Sequence, residues 1–375
     1  MKNSKTTILI IAALIIVGSI YVLEARRVDR GSGSPENSDI KTLQRMSTQE
    51  KAKQYEPAKE ISSPDGFINT DNITIEGLVG KKVVLVDFWT YSCINCQRTT
   101  PYLNAWYEKY ADQGLEIIGI HTPEFEFEKD YNNVLAATKK FDIKYPVVLD
   151  NDYSTWTAYR NRYWPRKYLV DIDGFIVYDH IGEGGYEETE KKIQELLRER
   201  AVALNTEEAI AKDMVKPTQA ENVDFTKTRS PEIYFGAARN LELGNGDSQR
   251  IGEQTLKAPE TPGKNKLYLD GKWEFTEEFA TNESKEAKII FRYEAEKVFF
   301  VGSADTTVRV RILRDGKPIG AAAGKDVIMN NGDAVVNIHS NQLYRLIEDP
   351  AGHGEHTLEI IIENPGLKAF TFTFG

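Results

Sequence analysis

The sequence predicts a mixed α/β domain followed by an all-β sandwich, the two set behind an N-terminal apolar segment. Three observations predict this. Val83-Val84-Leu85-Val86-Asp87-Phe88-Trp89 is an apolar run holding one acid, the pattern of a strand buried on both faces, and strand-like and helix-like segments alternate around it. From Leu267 onward, short β-rich stretches recur without helices, as in an antiparallel sandwich. Near the start, Lys2 and Lys5 precede a run from Ile8 to Leu23 that only Gly18, Ser19 and Tyr21 interrupt.

Taken in order, residues 1–30 form a targeting segment. Its apolar run is short against the ~20 residues of a full span, and an Ala-x-Ala-like cleavage site is missing, which favours an uncleaved anchor while leaving cleavage open. Residues 31–56 begin Gly31-Ser32-Gly33-Ser34-Pro35, carry no sustained apolar period and read as a flexible linker. The α/β domain spans residues 57–203. Its predicted strands are Val83 to Trp89, Leu115 to Ile120 and Pro146 to Leu149, with a hairpin of Tyr168 to Asp171 and Phe175 to Tyr178 about Asp173-Gly174. Helices are predicted from the cysteine pair to about Tyr110, over 130–141, over 155–163 and from about Glu187 to Arg200. Residues 204–224 are charged and helix-prone, a helical linker. The sandwich occupies residues 225–375, its stretches punctuated by Asp270-Gly271, Asp315-Gly316 and Asn331-Gly332.

A chain of 375 residues has room for two cores. With 41% hydrophobic and 28% charged residues it has the balance of a folded protein, and a formal charge of −10 argues against a nucleic-acid partner, whose phosphates need a basic patch. Only two cysteines occur, Cys93 and Cys96, so close together that bridging them closes almost no loop. A stabilising framework would spread its cysteines along the chain, so this pair is read as chemical. Together with the targeting segment it places the folded domains outside the cytoplasm, on the membrane surface.

Cys93-Ile94-Asn95-Cys96 follows the strand and opens a helix. A cysteine at a helix N-terminus has its thiolate favoured by the positive end of the dipole, and a second cysteine one turn later can displace a mixed disulfide. Cys93 attacks; Cys96 resolves. Zinc would need a second CxxC or a histidine pair, and haem attachment fails because Gln97 stands where histidine is required, so no metal or cofactor is expected. A structural disulfide stays open. Asp87 is either a buried proton carrier with a raised pKa or a solvent-facing acid at a strand end. Pro165 is either a turn residue or a cis proline. His121 and Glu124 read as packing or capping residues.

The residues Asp87, Trp89, Cys93, Cys96, Pro101 and Pro165 resemble the thioredoxin family's buried acid, active-site tryptophan, CxxC, helix-kinking proline and cis-proline, over about residues 60 to 203. The runs Phe88 to Cys96, His121 to Phe125, Asn161 to Pro165 and Gly182-Glu183-Gly184 resemble the DipZ group within the TlpA-like family. That resemblance implies extracytoplasmic disulfide exchange with protein thiols and disulfides. It also implies catalytic roles for Cys93, Cys96, Asp87, Trp89 and Pro165, and substrate contacts from Trp164 and Pro165. Arg166 departs from the small residue expected after the proline and is expected to put charge beside the substrate groove. A reductase of this kind would draw electrons from a CcdA-like membrane partner, since this chain has one apolar segment where DipZ proteins carry a multi-span domain. The start and end of the sandwich resemble the DipZ C-terminal domain, a carbohydrate-binding-module-like fold. Trp273, Tyr268 or Tyr344, if exposed, would stack on sugars, whereas aromatics in a sandwich are more often core. His353-Gly354-Glu355-His356 is read as a turn rather than a metal site. The direction of electron flow is open. The rival readings are a peroxiredoxin-type thiol peroxidase and an envelope binding protein with an incidental thiol pair.

Overall fold

The central strand of the first domain is β3 (Val83–Trp89), every residue of which is buried. The computed structural model describes residues 45–375 apart from 207, 208 and 222; the expected anchor of residues 1–30 lies outside them. Among the described residues no helix is long and apolar enough to cross a membrane. The other strands are β1 (Glu56–Pro57), β2 (Gly66–Ile68), β4 (Leu115–His121), β5 (Val147–Leu149), β6 (Arg166–Val170) and β7 (Phe175–Ile181). They form one sheet in the order β1-β7-β6-β3-β4-β5-β2. β3 runs parallel to β4 and antiparallel to β6. Alternation along β3 divides the core: Leu85 and Trp89 face Cys96, Leu103 and Trp106, while Val84, Val86 and Phe88 face Tyr159 and Tyr168.

Six helices are described: α1 (Thr48–Gln54), α2 (Ile75–Leu78), α3 (Ile94–Tyr110), α4 (Tyr131–Lys140), α5 (Ser154–Ala158) and α6 (Tyr186–Leu204). α5 is shorter than the span predicted over 155–163, because Arg160 adopts a positive φ of 51° and ends it.

Two boundaries need correction. Residues 47–56 are not flexible linker. Ser47 and Glu50 close a capping box at the start of α1, and β1 pairs with β7. Lys51, 3% exposed, brings its ammonium 2.6 Å from Asp171, 2.8 Å from Asp173 and into contact with Glu199. The helix is held by charge rather than an apolar face, so it carries no hydrophobic period to read. Removing one partner of a buried ion cluster leaves the others under-compensated, so Lys51→Met is expected to cost about 3 kcal/mol. Urea denaturation checks this; an unchanged midpoint would show that the cluster adds no net stability. Residues 205–224 are not a helical linker either: α6 stops at Asn205, φ 53°, and no helix follows among the described residues to 224. The segment is drawn over the domain instead, with Val215 N–H donating to both Glu190 carboxylate oxygens at 3.1 and 3.0 Å.

The second domain is β-rich. Its strands are β8 (Ile233–Tyr234), β9 (Gly252–Leu256), β10 (Leu267–Phe275), β11 (Ala280–Asn282), β12 (Ala287–Ala295), β13 (Lys297–Ser303) and β14 (Val308–Arg314). They continue with β15 (Lys317–Pro318), β16 (Ile328–Asn330), β17 (Asp333–Ile338), β18 (Gln342–Glu348), β19 (Gly354–Ile362) and β20 (Lys368–Phe374). One face follows β16-β17-β14-β19-β12 and the other β11-β20-β13-β18, with β10 belonging to both. Residues 267–270 of β10 pair with β12, and residues 271–275 pair with β9. Asp270-Gly271 is therefore a bend inside a strand rather than a turn between strands. Gly271 takes φ 100°, and a Cβ there would sit 2.5 Å from Ser284 Oγ.

The alternating residues of β12 point into a core shared by both sheets. Trp273 and Tyr344 lie in it, 0% and 2% exposed, so neither is the exposed sugar platform considered from the sequence. Trp273 donates its indole N–H to the Asp270 carbonyl, and the Tyr344 hydroxyl donates to the Ser340 carbonyl. Tyr268 is half-buried. Gly354 onward is strand rather than turn, and His356 Nδ1 lies 2.7 Å from Asp315.

Candidate redox site

β3 delivers the chain to Thr90-Tyr91-Ser92, and Cys93 is the N-cap of α3, with φ −78° and ψ 119°. Cys93 is half-buried and Cys96, one turn on, is buried; both are free thiols. The loop before them is clamped by Glu128. One of its carboxylate oxygens accepts the Ser92 hydroxyl at 2.6 Å and the Ser92 N–H at 3.2 Å, and the other accepts the Glu124 and Phe125 N–H groups at 2.6 and 3.0 Å. Gln97 adds a bond to the Tyr91 carbonyl at 2.9 Å. Burial raises the Glu128 carboxyl above its usual range, against the pull of these donors. The sequence reading missed Glu128, whose partners are a loop and a cysteine flank more than thirty residues away.

Across from Cys93 stands the Trp164-Pro165 peptide, which is cis. Cys93 Sγ is 3.9 Å from the Trp164 carbonyl oxygen. Trp164 is fixed by its indole N–H on the Thr122 carbonyl at 2.9 Å and by Trp156, 4.3 Å away between ring centres. Pro165 is buried, and its carbonyl accepts from Gly182 N–H.

Behind Cys96 lies a second layer. Asp87 is 1% exposed, and its Oδ1 has no hydrogen-bond partner. Burial pushes its carboxyl up to about 7, with Lys167 pulling it back. Burial and the neighbouring Cys93 push the Cys96 thiol well above the ordinary cysteine range. In register, Asp87 has Gly119 on one side and Lys167 on the other. Gly119 is needed there: a Cβ would meet the Trp89 indole nitrogen at 2.9 Å. Trp89 packs edge-on against His121, which Tyr91 stacks from the other side, and burial pushes that imidazole down to about 3, leaving it neutral. His121 is a packing residue, as expected from the sequence.

Arg166 is not beside the cysteines. Strand alternation turns it to the opposite face of the sheet, over the Tyr168 ring and paired with Asp179 at 2.7 Å. The cation on the cysteine side is the next residue, Lys167, which the sequence reading passed over.

The β-rich domain closes one side of the site. Ile94, inside the CxxC, is 1% exposed because Phe299, Val301, Leu343 and Phe370 cover it together with Phe125. Tyr91 donates its hydroxyl to the Asn341 carbonyl at 3.2 Å. Glu124 accepts from Arg239 at 2.7 Å and from the Tyr234 hydroxyl at 3.0 Å, so it is a cross-domain anchor as well as a loop residue. One turn after Ile94, buried Arg98 meets Glu183 at 3.3 Å, Glu221 at 3.6 Å and the Phe299 ring at 5.1 Å. Glu221 also takes Lys297 at 3.3 Å and Arg345; burial opposes its charge, but these cations hold its carboxyl below the usual range.

Two family models match this chain: the AhpC/TSA family over residues 55–179 and the thioredoxin-like C-terminal domain over residues 230–375. Protein DipZ of Mycobacterium tuberculosis is 34% identical over 323 residues, which is 85% of this chain and 43% of DipZ. The chain thus spans less than half the length of that relative. Thiol-disulfide oxidoreductase YkuV of Bacillus subtilis is 30% identical over 144 residues, 38% of this chain and 96% of YkuV. Thiol-disulfide oxidoreductase ResA of Bacillus cereus is 34% identical over 134 residues, 35% of this chain and 74% of ResA.

Proposed function

Because this chain belongs to the thioredoxin-like thiol-disulfide oxidoreductases, we propose that it works through Cys93 and Cys96 as a reductase of protein disulfides outside the cytoplasm. One observation carries the assignment of roles: Cys93 is half-buried at the N-terminus of α3, whereas Cys96 is buried one turn behind it, on the side of Asp87. The reachable sulfur attacks and the enclosed one resolves.

The Cys93 thiolate attacks a substrate disulfide, forming a mixed disulfide and releasing one substrate thiolate. Cys96 then attacks the Cys93 sulfur, freeing the second substrate thiolate and leaving a Cys93-Cys96 disulfide. The substrate gains two electrons and the pair loses them. Trp164 and Pro165 hold the substrate chain beside Cys93, and Trp89 packs under the pair. The next cycle needs a fresh dithiol, which in this reading a CcdA-like membrane donor supplies. Lys2, Lys5 and the apolar run to Leu23 support an anchored, extracytoplasmic location.

The test is the in-cell redox state of the pair, read by acid quenching and a thiol-alkylation gel shift. A mainly reduced pair is expected. A mainly oxidised pair that dithiothreitol opens readily would reverse the direction to oxidant, and one that resists reduction would overturn the catalytic reading. The match to the AhpC/TSA family model favours one rival, a thiol peroxidase; hydrogen peroxide consumption by the purified protein separates the two and is expected to stay at background.

A further inference from the structure

We propose that the cavity between the two domains, beside the cysteine loop, is a substrate-recognition site that takes a carboxylate side chain of the polypeptide being reduced, with Lys140 as its counter-charge. This rests on the exchange reaction proposed above and names a chemical class for its substrate.

The cavity holds about 330 Å³. That is the low end of the ~300–1,000 Å³ of ordinary ligand pockets, room for side chains rather than for a folded partner. Its walls come from both domains. Tyr91, two residues before Cys93, and Gln97, one turn after it, form one side, with Lys140 at the end of α4 beside them. His339, Asn341 and Gln342, where β17 passes into β18, form the other. Bonds across the gap fix its width: the Tyr91 hydroxyl donates to the Asn341 carbonyl at 3.2 Å, and the Lys140 ammonium donates to the Gln342 side-chain oxygen at 2.9 Å. The chain at His339 and Ser340 is held by buried Tyr344, whose hydroxyl accepts both of their N–H groups at 3.2 and 3.1 Å. The walls are thus formed before a ligand arrives, and little ordering opposes binding.

Charge selects the occupant. No Asp or Glu lines the cavity, although the chain as a whole carries a formal charge of −10. Among the described residues Lys140 forms no salt bridge, and the group it meets is a neutral amide oxygen. Partial burial pulls its ammonium below the ordinary lysine range; Asp326 opposes that, while Lys325 and Arg345 reinforce it. Arg345 is itself engaged by Glu221, which leaves Lys140 as the cation turned to the cavity. A carboxylate entering there gains a charge-assisted bond from Lys140, with the Asn341 side-chain amide as a further donor. The reach also fits. Gln97 lies one turn beyond Cys93, about 6 Å along the helix axis, and an extended chain advances ~3.3 Å per residue. A side chain two or three residues from the substrate's cysteine therefore arrives at the cavity while that sulfur is on Cys93.

The experiment is single-turnover reduction, by the reduced full chain, of disulfide-linked dimers of a short peptide that carries either Glu or Gln three residues to each side of its cysteine. Each rate is divided by the rate of the same peptide with dithiothreitol, which removes any effect of the charge on the disulfide itself. Wild type is expected to reduce the Glu peptide about fivefold faster than the Gln peptide, and the advantage should fade in molar salt as the charges are screened. Lys140→Gln should remove the advantage, and Lys140→Glu should replace it with a preference for a Lys peptide. Lys139→Gln makes the same charge change on the neighbouring residue, outside the cavity wall, and should keep the wild-type ratio. Equal rates on the Glu and Gln peptides in wild type, or a ratio that survives Lys140→Glu, would overturn the inference. If wild type reduced neither peptide, or Cys93→Ala reduced both as fast, the exchange reading itself would fail, so the two failures are distinguishable.

Discussion

Cys96→Ala stops the reaction at its midpoint: the variant accumulates one substrate molecule per chain, joined to Cys93 by a disulfide, and multiple turnover falls to the rate of uncatalysed exchange. The expectation follows from geometry. Cys93 is half-buried at the head of α3 and Cys96 is enclosed one turn behind it, so in the proposed cycle Cys93 meets the substrate and Cys96 displaces it. Losing Cys96 leaves the attacking thiol at the head of α3 but removes the chain's one other thiol. Non-reducing gels and intact-mass measurement read the adduct directly. Cys93→Ala gives neither adduct nor turnover, and an adduct forming on Cys96 in that variant would exchange the two roles.

The second large effect concerns stability. Arg98→Ala removes a cation that is 3% exposed and faces two carboxylates, Glu183 and Glu221. Breaking a buried ion network from one side costs about 3–5 kcal/mol, because the remaining charges stay desolvated without their partner. The expected loss is about 4 kcal/mol. It should fall on the contact between the domains, since Glu221 also binds Lys297 and Arg345 and the Arg98 guanidinium lies over Phe299. Calorimetry should then resolve two transitions where wild type gives one, and Cys93 should alkylate faster as the cover over Ile94 loosens. Arg98→Lys should recover only part of the loss, because an ammonium cannot present the planar fork. A single transition at an unchanged temperature would show that the apolar contacts alone fix the domains.

Much of this site is local in sequence, which is why it could be read there. β3 is a seven-residue apolar run, the cysteines open a helix directly after it, and Asp87 betrays itself as the lone acid in that run. Pro165 is flagged by its position before a hairpin. What escaped is non-local charge compensation. Lys167, Glu128, Arg98 and Lys51 are ordinary polar residues in their own neighbourhoods and become site or anchoring residues only when a distant strand or loop encloses them. Arg166 and Lys167 were distinguishable by parity alone, since Lys167 shares its side of β6 with core residue Leu169. Trp273 and Tyr344 sit at inward positions of their strands, and the sugar-stacking reading depended on their pointing outward. Asp-Gly marks bends and turns alike, and only the pairing of β10 on two sheets tells them apart at Gly271.

The seat of Ile94 has a consequence in time. The residues that roof it come from β13, β18 and β20, far downstream of the cysteines in the order of synthesis. A nascent chain presents both thiols and the head of α3 while that apolar side chain is still bare. The cover over the cysteine loop is therefore complete only once Phe370 has emerged and packed.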